Sequence, residues 1–326
     1  MPKAYVFTEY GGPEQQTFAD LPQPVPGPGE LLVAVHAAGV NPVDWKVRAG
    51  YLREVLPLPL PAVLGSEVSG VVEAIGDGVE GFAVGDEVFG ALPLTGGYAE
   101  YALLPAGSAA HKPAAVSFTD AATLSVSAAT AREGIALLNL KPGDTVLVNG
   151  AGGGIGATAV QLARAEGATV IGTAGAGKAE FVSSLGATHV TYGEGVADRI
   201  AALAPNGVDA VLDLVGGDSL YAVAPLAADR SRVVTAVDPT AAAELGGGYY
   251  QVTQTEATLA PLADLVASGA LDPRVTQVVP FAEAARALAA VEAGHAGDDI
   301  TKYNEAPTTA VAGTATIVFE NSKATG

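Results

Sequence analysis

Residues 146–161 read VLVNGAGGGIGATAVQ, a short apolar run, a glycine cluster and then a helical pattern. Glycine lacks a Cβ, so the backbone can turn tightly and a pyrophosphate can approach it. The free N–H groups and dipole of a helix starting near Ile155 would then favour the anion. Gly150, Gly153 and Gly156 recur every third residue, and Gly152 and Gly154 with Ala157 fit G-x-G-x-x-A. Gly156 would also let that helix pack close to a sheet. The cluster means little alone in a chain with 41 glycines among 326 residues. Its meaning depends on whether a strand precedes it and a helix follows.

A second stretch, NPVDWKVRAGY (41–51), offers polar groups for chemistry. Asn41 before Pro42 is an ordinary helix start, with Pro at the first helical position. Tyr51 is either a half-buried aromatic or a proton donor, since a phenol of pKa about 10 stays protonated at neutral pH. Asp44 and Trp45 read as structural. With 0 Cys there is no thiolate ligand, no cysteine nucleophile and no disulfide. The four histidines, His36, His111, His189 and His295, are scattered without ligand spacing. No G-x-S-x-G is present.

The elements that must position these residues have two textures. Up to about residue 120, short apolar runs are broken by Pro and Gly: ELLVAVHAAGV (30–40), SEVSGVVEAIG (66–76), GDEVFGAL (85–92) and GGYAEYALLP (96–105). They predict a compact barrel-like β domain, entered through the extended connector LPQPVPGPGE (21–30). Beyond it, strands TVLVNG (145–150), ATVIGT (168–173), THVTY (188–192), DAVLDLV (209–215) and SRVVTAV (231–237) alternate with helical runs. The helical runs are 155–167, 178–186 and 196–204. That alternation predicts parallel βαβ units. It puts the glycine cluster after the first strand and at the start of the first helix, where a phosphate turn belongs.

The chain resembles the medium-chain dehydrogenase/reductase superfamily, in its zinc-free quinone oxidoreductase, zeta-crystallin-like branch. The resemblance is carried by AAGVNPVDWKVRAGY (37–51), LGSEVSGVVEAIGDGVEGFAVGDEVFG (64–90), GGYAEY (96–101), NGAGGGIGATAVQLARAEGA (149–168) and DLVGG (213–217), in family order over roughly residues 1–295. It implies an α/β fold: a GroES-like β-barrel catalytic domain (1–122 and 275–326) and an inserted Rossmann domain with a doubly wound parallel sheet (123–274). FAEAARALAAVEAGH (281–295) would return to the catalytic domain. Metal-dependent relatives place a Cys near Val40, a His at Ser66 and a four-Cys lobe near residue 92. Ser66 is a poor zinc ligand and the lobe is missing, so no metal site is expected.

The resemblance also implies roles. Asn41 would border the nicotinamide ribose and the substrate, Thr130 would lie near the nicotinamide, and Tyr51 would face the substrate. The turns at Val215–Gly216 and Ala236–Val237 close the fourth and fifth Rossmann strands, where such sheets bind ligands. NAD-binding units carry an acid about 20 residues past the glycines. Here the second strand ends in Gly172, Thr173 and Ala174 instead, and Thr173 is expected among the cofactor contacts. Lys178 and Tyr192 match positions that hold a 2′-phosphate, so NADPH is the expected cofactor. The family's closing GHARGK is replaced by GHAGDDITKYNEAPTTAVAGTA before TIVFE (316–320). The usual Arg is Gly297, and Lys302 is a possible substitute.

The formal net charge of −19 disfavours nucleic acid and anionic membranes as partners. No apolar run reaches the about 18 residues of a membrane span, and the start has no long apolar stretch of a signal peptide. A cytoplasmic location follows as an expectation, and the family implies a homodimer. Without zinc, hydride transfer needs an already electrophilic substrate, a quinone or an α,β-unsaturated carbonyl. Two other readings stay open: a secondary-metabolite tailoring enzyme, reducing an enoyl group or acting without redox change, and a non-catalytic NADPH-binding protein.

Overall fold

The structure is a computed structural model and describes residues 1–294 and 316–320. The chain divides into two compact units, Met1–Val126 with the segment from Gln254 onward, and Ser127–Thr253.

The first unit holds β1 (Lys3–Phe7), β2 (Gln16–Asp20), β3 (Glu30–Val40), α1 (Pro42–Arg48), β4 (Ala62–Val63), β5 (Glu67–Ile75), β6 (Glu87–Ala91), β7 (Tyr101–Pro105) and β8 (Ala109–His111). β1 pairs antiparallel with β2 and β4, while β3, β5, β6 and β8 follow one another across a larger sheet, with β7 also on β3. Alternation points Leu31, Val33 and Val35 of β3 into a core with Phe7, Leu64, Val68, Val88, Tyr98 and Leu104.

The second unit follows α2 (Phe118–Ala121) and starts within a π-type turn, Leu124–Ala128. It contains α3 (Ala129–Leu138), β9 (Thr145–Asn149), α4 (Gly154–Ala165), β10 (Thr169–Ala174), α5 (Ala179–Ser184), β11 (Thr188–Thr191), α6 (Val196–Leu203), β12 (Ala210–Asp213), α7 (Gly217–Val223), β13 (Val233–Thr235), α8 (Pro239–Leu245) and β14 (Gly248–Tyr249). Its sheet is parallel in the order β11-β10-β9-β12-β13-β14. The chain winds outward from β9 in both directions, so the switch point lies beside β9. Side-chain alternation serves both faces. Val146, Val148, Val170, Ala210 and Leu212 enter one core, and Leu147, Ile171 and Val211 enter the other.

The chain then returns with α9 (Glu256–Ala267), β15 (Val275–Pro280), α10 (Ala284–Glu292) and β16 (Thr316–Glu320). The return begins at residue 254 rather than 275, because α9 packs on β8 of the first unit. β16 lies between β15 and β3. The fully buried Arg48 of α1 reaches Glu292 of α10 at 2.7 Å, tying the returning segment to the barrel. His295, Gly297, Lys302 and the rest of 295–315 lie outside the described residues. Among the described residues no helix is long and apolar enough to cross a membrane.

Candidate active site

In the second unit, β9 ends at Asn149 and the chain turns through Gly150, whose φ of +98° an L side chain rarely adopts. Gly153 is the N-cap of α4, which begins at Gly154, one residue before the expected Ile155. Gly156 sits in the first turn against the backbone of Gly150 and Ala151, where a Cβ would collide with the Gly150 carbonyl. The turn thus leaves N–H groups at a 12-residue helix N-terminus, the arrangement that binds pyrophosphate.

A buried polar network fixes this edge of the sheet. The Thr173 hydroxyl donates to Asn149 Oδ1 at 2.7 Å and accepts from the Gly150 N–H at 3.0 Å. Asn149 Nδ2 donates to Asp213 Oδ1 at 2.7 Å, and the Thr235 hydroxyl donates to Asp213 Oδ2 at 2.7 Å. Asp213 also accepts from the N–H groups of Val215 and Gly216. One chain of bonds therefore links the ends of β10, β9, β12 and β13, and every member is satisfied. Thr173, expected among the cofactor contacts, turns its hydroxyl inward, so it shapes the turn from behind. Val215 and Val237 are exposed beside Gly216 and Ala236, at the ends of β12 and β13. Sequence reading missed Asn149, Asp213 and Thr235. Their visible signal is a polar residue ending each of three otherwise apolar strands.

At the tip of β10 the structure places Lys178 beside the glycine turn and Tyr192 beside Gly175. The stem of Lys178 runs beside Gly152, where an added Cβ would meet Lys178 Cγ at 3.4 Å. Its ammonium lies 5.8 Å from the Phe181 ring centroid. The Tyr192 ring lies next to Gly175, and its hydroxyl would be 3.7 Å from a Cβ there. These residues fit a phosphate-bearing dinucleotide: a cradle that side chains would fill, a helix N-terminus, and a cation and a phenol at the adjacent strand tip.

Thr130 is buried in α3, and its backbone carbonyl accepts from the Tyr250 hydroxyl at 3.1 Å.

In the first unit, Asn41 caps α1 and is buried. Its backbone N–H donates to Asp44 Oδ2 at 2.8 Å, and its side-chain Nδ2 donates to Glu67 Oε1 at 2.7 Å. Asp44 also accepts from the Ser66 hydroxyl at 3.0 Å and from the Tyr98 hydroxyl. Glu67 Oε2 accepts from the Ser125 hydroxyl and the Val126 N–H, both at 2.9 Å. Burial pushes the Asp44 carboxyl up to about 6, against the hydrogen bonds of Tyr98, Asn41 and Ser66. Burial also pushes Glu67 up to about 7, opposed by its three donors and assisted by the Asp44 charge. The same surroundings raise the Tyr98 phenol well above its ordinary value, burial first. Asp44 ties the start of α1 to Ser66 and Tyr98, and Glu67 went unnoticed in the sequence because a lone Glu in a strand pattern reads as an outward-facing charge. Ser66 spends its hydroxyl on Asp44. Among the described residues no cluster of His, Cys, Asp and Glu is arranged to hold a metal ion. Tyr51 follows α1, is 70% exposed, and rests edge-on against Trp45 at 5.7 Å.

With this geometry in hand, the comparisons with known proteins are specific. The pattern of the alcohol dehydrogenase GroES-like domain matches residues 27–114, and that of a zinc-binding dehydrogenase matches residues 185–297. Human quinone oxidoreductase is 35% identical over 233 residues, covering 69% of this chain and 70% of that protein. The quinone oxidoreductase of Coxiella burnetii superposes with a TM-score of 0.85 at 28% identity, over 98% of this chain and 99% of that one. A mycobacterial protein solved in complex with NADPH superposes with a TM-score of 0.83 at 32% identity, over 98% of this chain and 100% of that one.

Proposed function

The chain belongs to the quinone oxidoreductase, zeta-crystallin-like branch of the medium-chain dehydrogenase/reductase superfamily, and we propose that it is an NADPH-dependent, zinc-independent reductase of a quinone or of the C=C bond of an α,β-unsaturated carbonyl. The observation that carries this reading is the β9–α4 glycine turn with Lys178 beside it and Tyr192 beside Gly175 at the tip of β10. Gly150, Gly152, Gly153, Gly154, Ile155 and Gly156 form the pyrophosphate turn, and Lys178 and Tyr192 take the 2′-phosphate. Val215, Gly216, Ala236, Val237 and Thr130 line the way toward the nicotinamide end. When bound, the dihydronicotinamide supplies a hydride. Asn41 orients the adjoining ribose and the substrate.

Zinc independence is supported by the donor set: 0 Cys in the chain, and a serine at position 66 that is already engaged with Asp44. An electrophilic substrate then needs only hydrogen-bond donors for the oxygen that gains charge. The reading includes a cytoplasmic location, a homodimer, a small-molecule substrate and no nucleic-acid partner, in keeping with the net charge of −19.

NADPH oxidation followed by absorbance, with a naphthoquinone and with an enone, tests the proposal. Turnover of either is expected, and prolonged EDTA treatment should leave the rate unchanged. Tight NADPH binding without turnover of any such acceptor favours the non-catalytic reading. Turnover of the enone alone favours the tailoring role. Activity that EDTA removes and zinc restores ends the zinc-independent assignment.

Tyr51 is proposed as a donor to the substrate oxygen, but its exposure limits the effect. Water can replace an exposed donor, so the net value is that of an ordinary hydrogen bond, about 0.5–1.5 kcal/mol. Tyr51→Phe is accordingly expected to lower kcat about two- to tenfold, with the Kd for NADPH unchanged. An unchanged kcat on the preferred substrate assigns Tyr51 to packing against Trp45.

A further inference from the structure

Glu67 is 1% exposed and carries a carboxylate with donors on both oxygens. A carboxylate is acceptor-only, and it fits three donors. Of these, the Val126 N–H can only donate, whereas the Ser125 hydroxyl can donate or accept and the Asn41 side chain can present either end of its amide. The backbone permits this closeness because residue 39 is glycine: a Cβ there would collide with Glu67 Oε1 and the Ala122 carbonyl.

We propose that Glu67 is a positioning residue for Asn41: its ionised carboxylate selects the amide orientation in which Nδ2 faces Glu67 and the carbonyl Oδ1 faces away as an acceptor. The inference rests on the reading that Asn41 serves the cofactor and substrate. When Glu67 takes up a proton, the carboxyl gains an O–H. Placed on Oε1, which only Asn41 meets, that hydrogen leaves Oε2 with both the Ser125 hydroxyl and the Val126 N–H, and it faces the Asn41 amide, which answers with Oδ1. The amide rotates, and its outward end changes from acceptor to donor. A group that needs the acceptor then loses it. The proton comes from solvent, and no other bond is made or broken.

The titratable groups facing Glu67 are Asp44 from α1 and the Tyr98 phenol. β3, β6 and the turn after α2 bring Gly39, Ala91, Ala122 and Ser125 against it, none of which titrates. Glu67 is raised to about 7 and Asp44 to about 6. For a carboxyl raised above its unfolded value, the protonated form is favoured by folding. Its contribution to stability is complete below the unfolded value and is lost as pH rises through about 7. Ionised Glu67 therefore weakens the fold at the pH where it serves Asn41, and relief of this burial should raise stability.

The test uses the full chain with asparagine side chains labelled by 15N and NADPH added, the Asn41 signals being assigned by their loss in Asn41→Ala. In the unmodified protein the Asn41 side-chain amide signals are expected to shift with a midpoint near the Glu67 value of about 7. In Glu67→Gln they should be constant through that range, with only the smaller step of Asp44 below it. In quinone or enone reduction, kcat/KM should rise with pH through the same midpoint. In Glu67→Gln it should be about tenfold lower at pH 8 and flat there, the factor of one misdirected hydrogen bond. Glu67→Gln should also melt higher than the unmodified protein at pH 8, with the gain vanishing in acid. Flat Asn41 signals in the unmodified protein, or the same step in both proteins, would overturn the proposal, and the first of these needs no variant. A step near 7 in the unmodified protein alone, with no turnover of any acceptor, keeps Glu67 as the positioning group and overturns the reductase reading instead.

Discussion

Gly156→Val is expected to abolish measurable dinucleotide binding while leaving the first unit folded. A Cβ at 156 would overlap the Gly150 carbonyl oxygen and stand 2.7 Å from Ala151 Cα. Both are backbone atoms of the glycine turn itself, so neither can rotate away as a flexible side chain would. The turn must move, and it is held from behind by the Thr173 hydroxyl on the Gly150 N–H and by the Ala151 N–H on the Thr173 carbonyl. Losing two charge-assisted hydrogen bonds from the turn's N–H groups, each worth about 1.5–3 kcal/mol, is enough for about a 100-fold loss. The β-branched valine adds two methyl groups to the clash. The Kd for NADPH, read from its fluorescence, should rise at least about 100-fold on this ground. Gly107→Ala is the matched control, since an added Cβ there meets nothing within 4 Å. An intact fold by circular dichroism with a Kd within threefold of the unmodified protein would falsify the turn as the pyrophosphate site.

The turn was legible in the sequence because its neighbours fix its meaning. Val146–Asn149 reads as a strand buried on both faces, and the run after Gly154 reads as a helix, so local pattern alone located the cradle. The barrel strands were equally legible: ELLVAVHAAGV coincides with β3 to the residue. Glu67 and Asp44 were not, because burial of a carboxylate depends on which donors arrive from distant positions. The donors to Asp44 include Tyr98, 54 positions away, and those to Glu67 include Ser125, 58 away. Thr173 was assigned to the cofactor from its place at a strand tip. Strand register turns its hydroxyl toward Asn149, a partner that only the fold reveals. The boundary at 254 was missed for a similar reason. α9 continues the helical texture of the second unit, yet it packs on β8.

Lys178→Ala is expected to weaken NADPH binding about 10- to 100-fold, the value of one charge-assisted hydrogen bond of roughly 1.5–3 kcal/mol, and to leave NADH almost untouched. The reason lies at the tip of β10. In an NAD-binding unit a carboxylate there accepts the ribose hydroxyls and repels a 2′-phosphate. Here the tip reads Gly172, Thr173, Ala174, Gly175, and Glu180 is already inside α5. Lys178 stands at the N-cap of α5, half-buried, with its stem alongside Gly152. A solvated surface lysine would show no such dependence on the dinucleotide's charge, so the selectivity ratio separates the two roles. Tyr192 contributes a neutral hydroxyl from the end of β11, so Tyr192→Phe should cost less, about two- to tenfold for an ordinary hydrogen bond. The Arg expected at position 297 is Gly here, so in this proposal Lys178 is the chief charge on the phosphate, with Lys302 as a possible substitute. Selectivity should therefore fall steeply with added salt, because a single half-buried charge is screened more than a buried cluster. Titrating both cofactors into the unmodified and variant proteins at low and high salt measures the effect directly. Equal affinities in the unmodified protein, or equal losses for both cofactors in the variant, would take the 2′-phosphate away from Lys178.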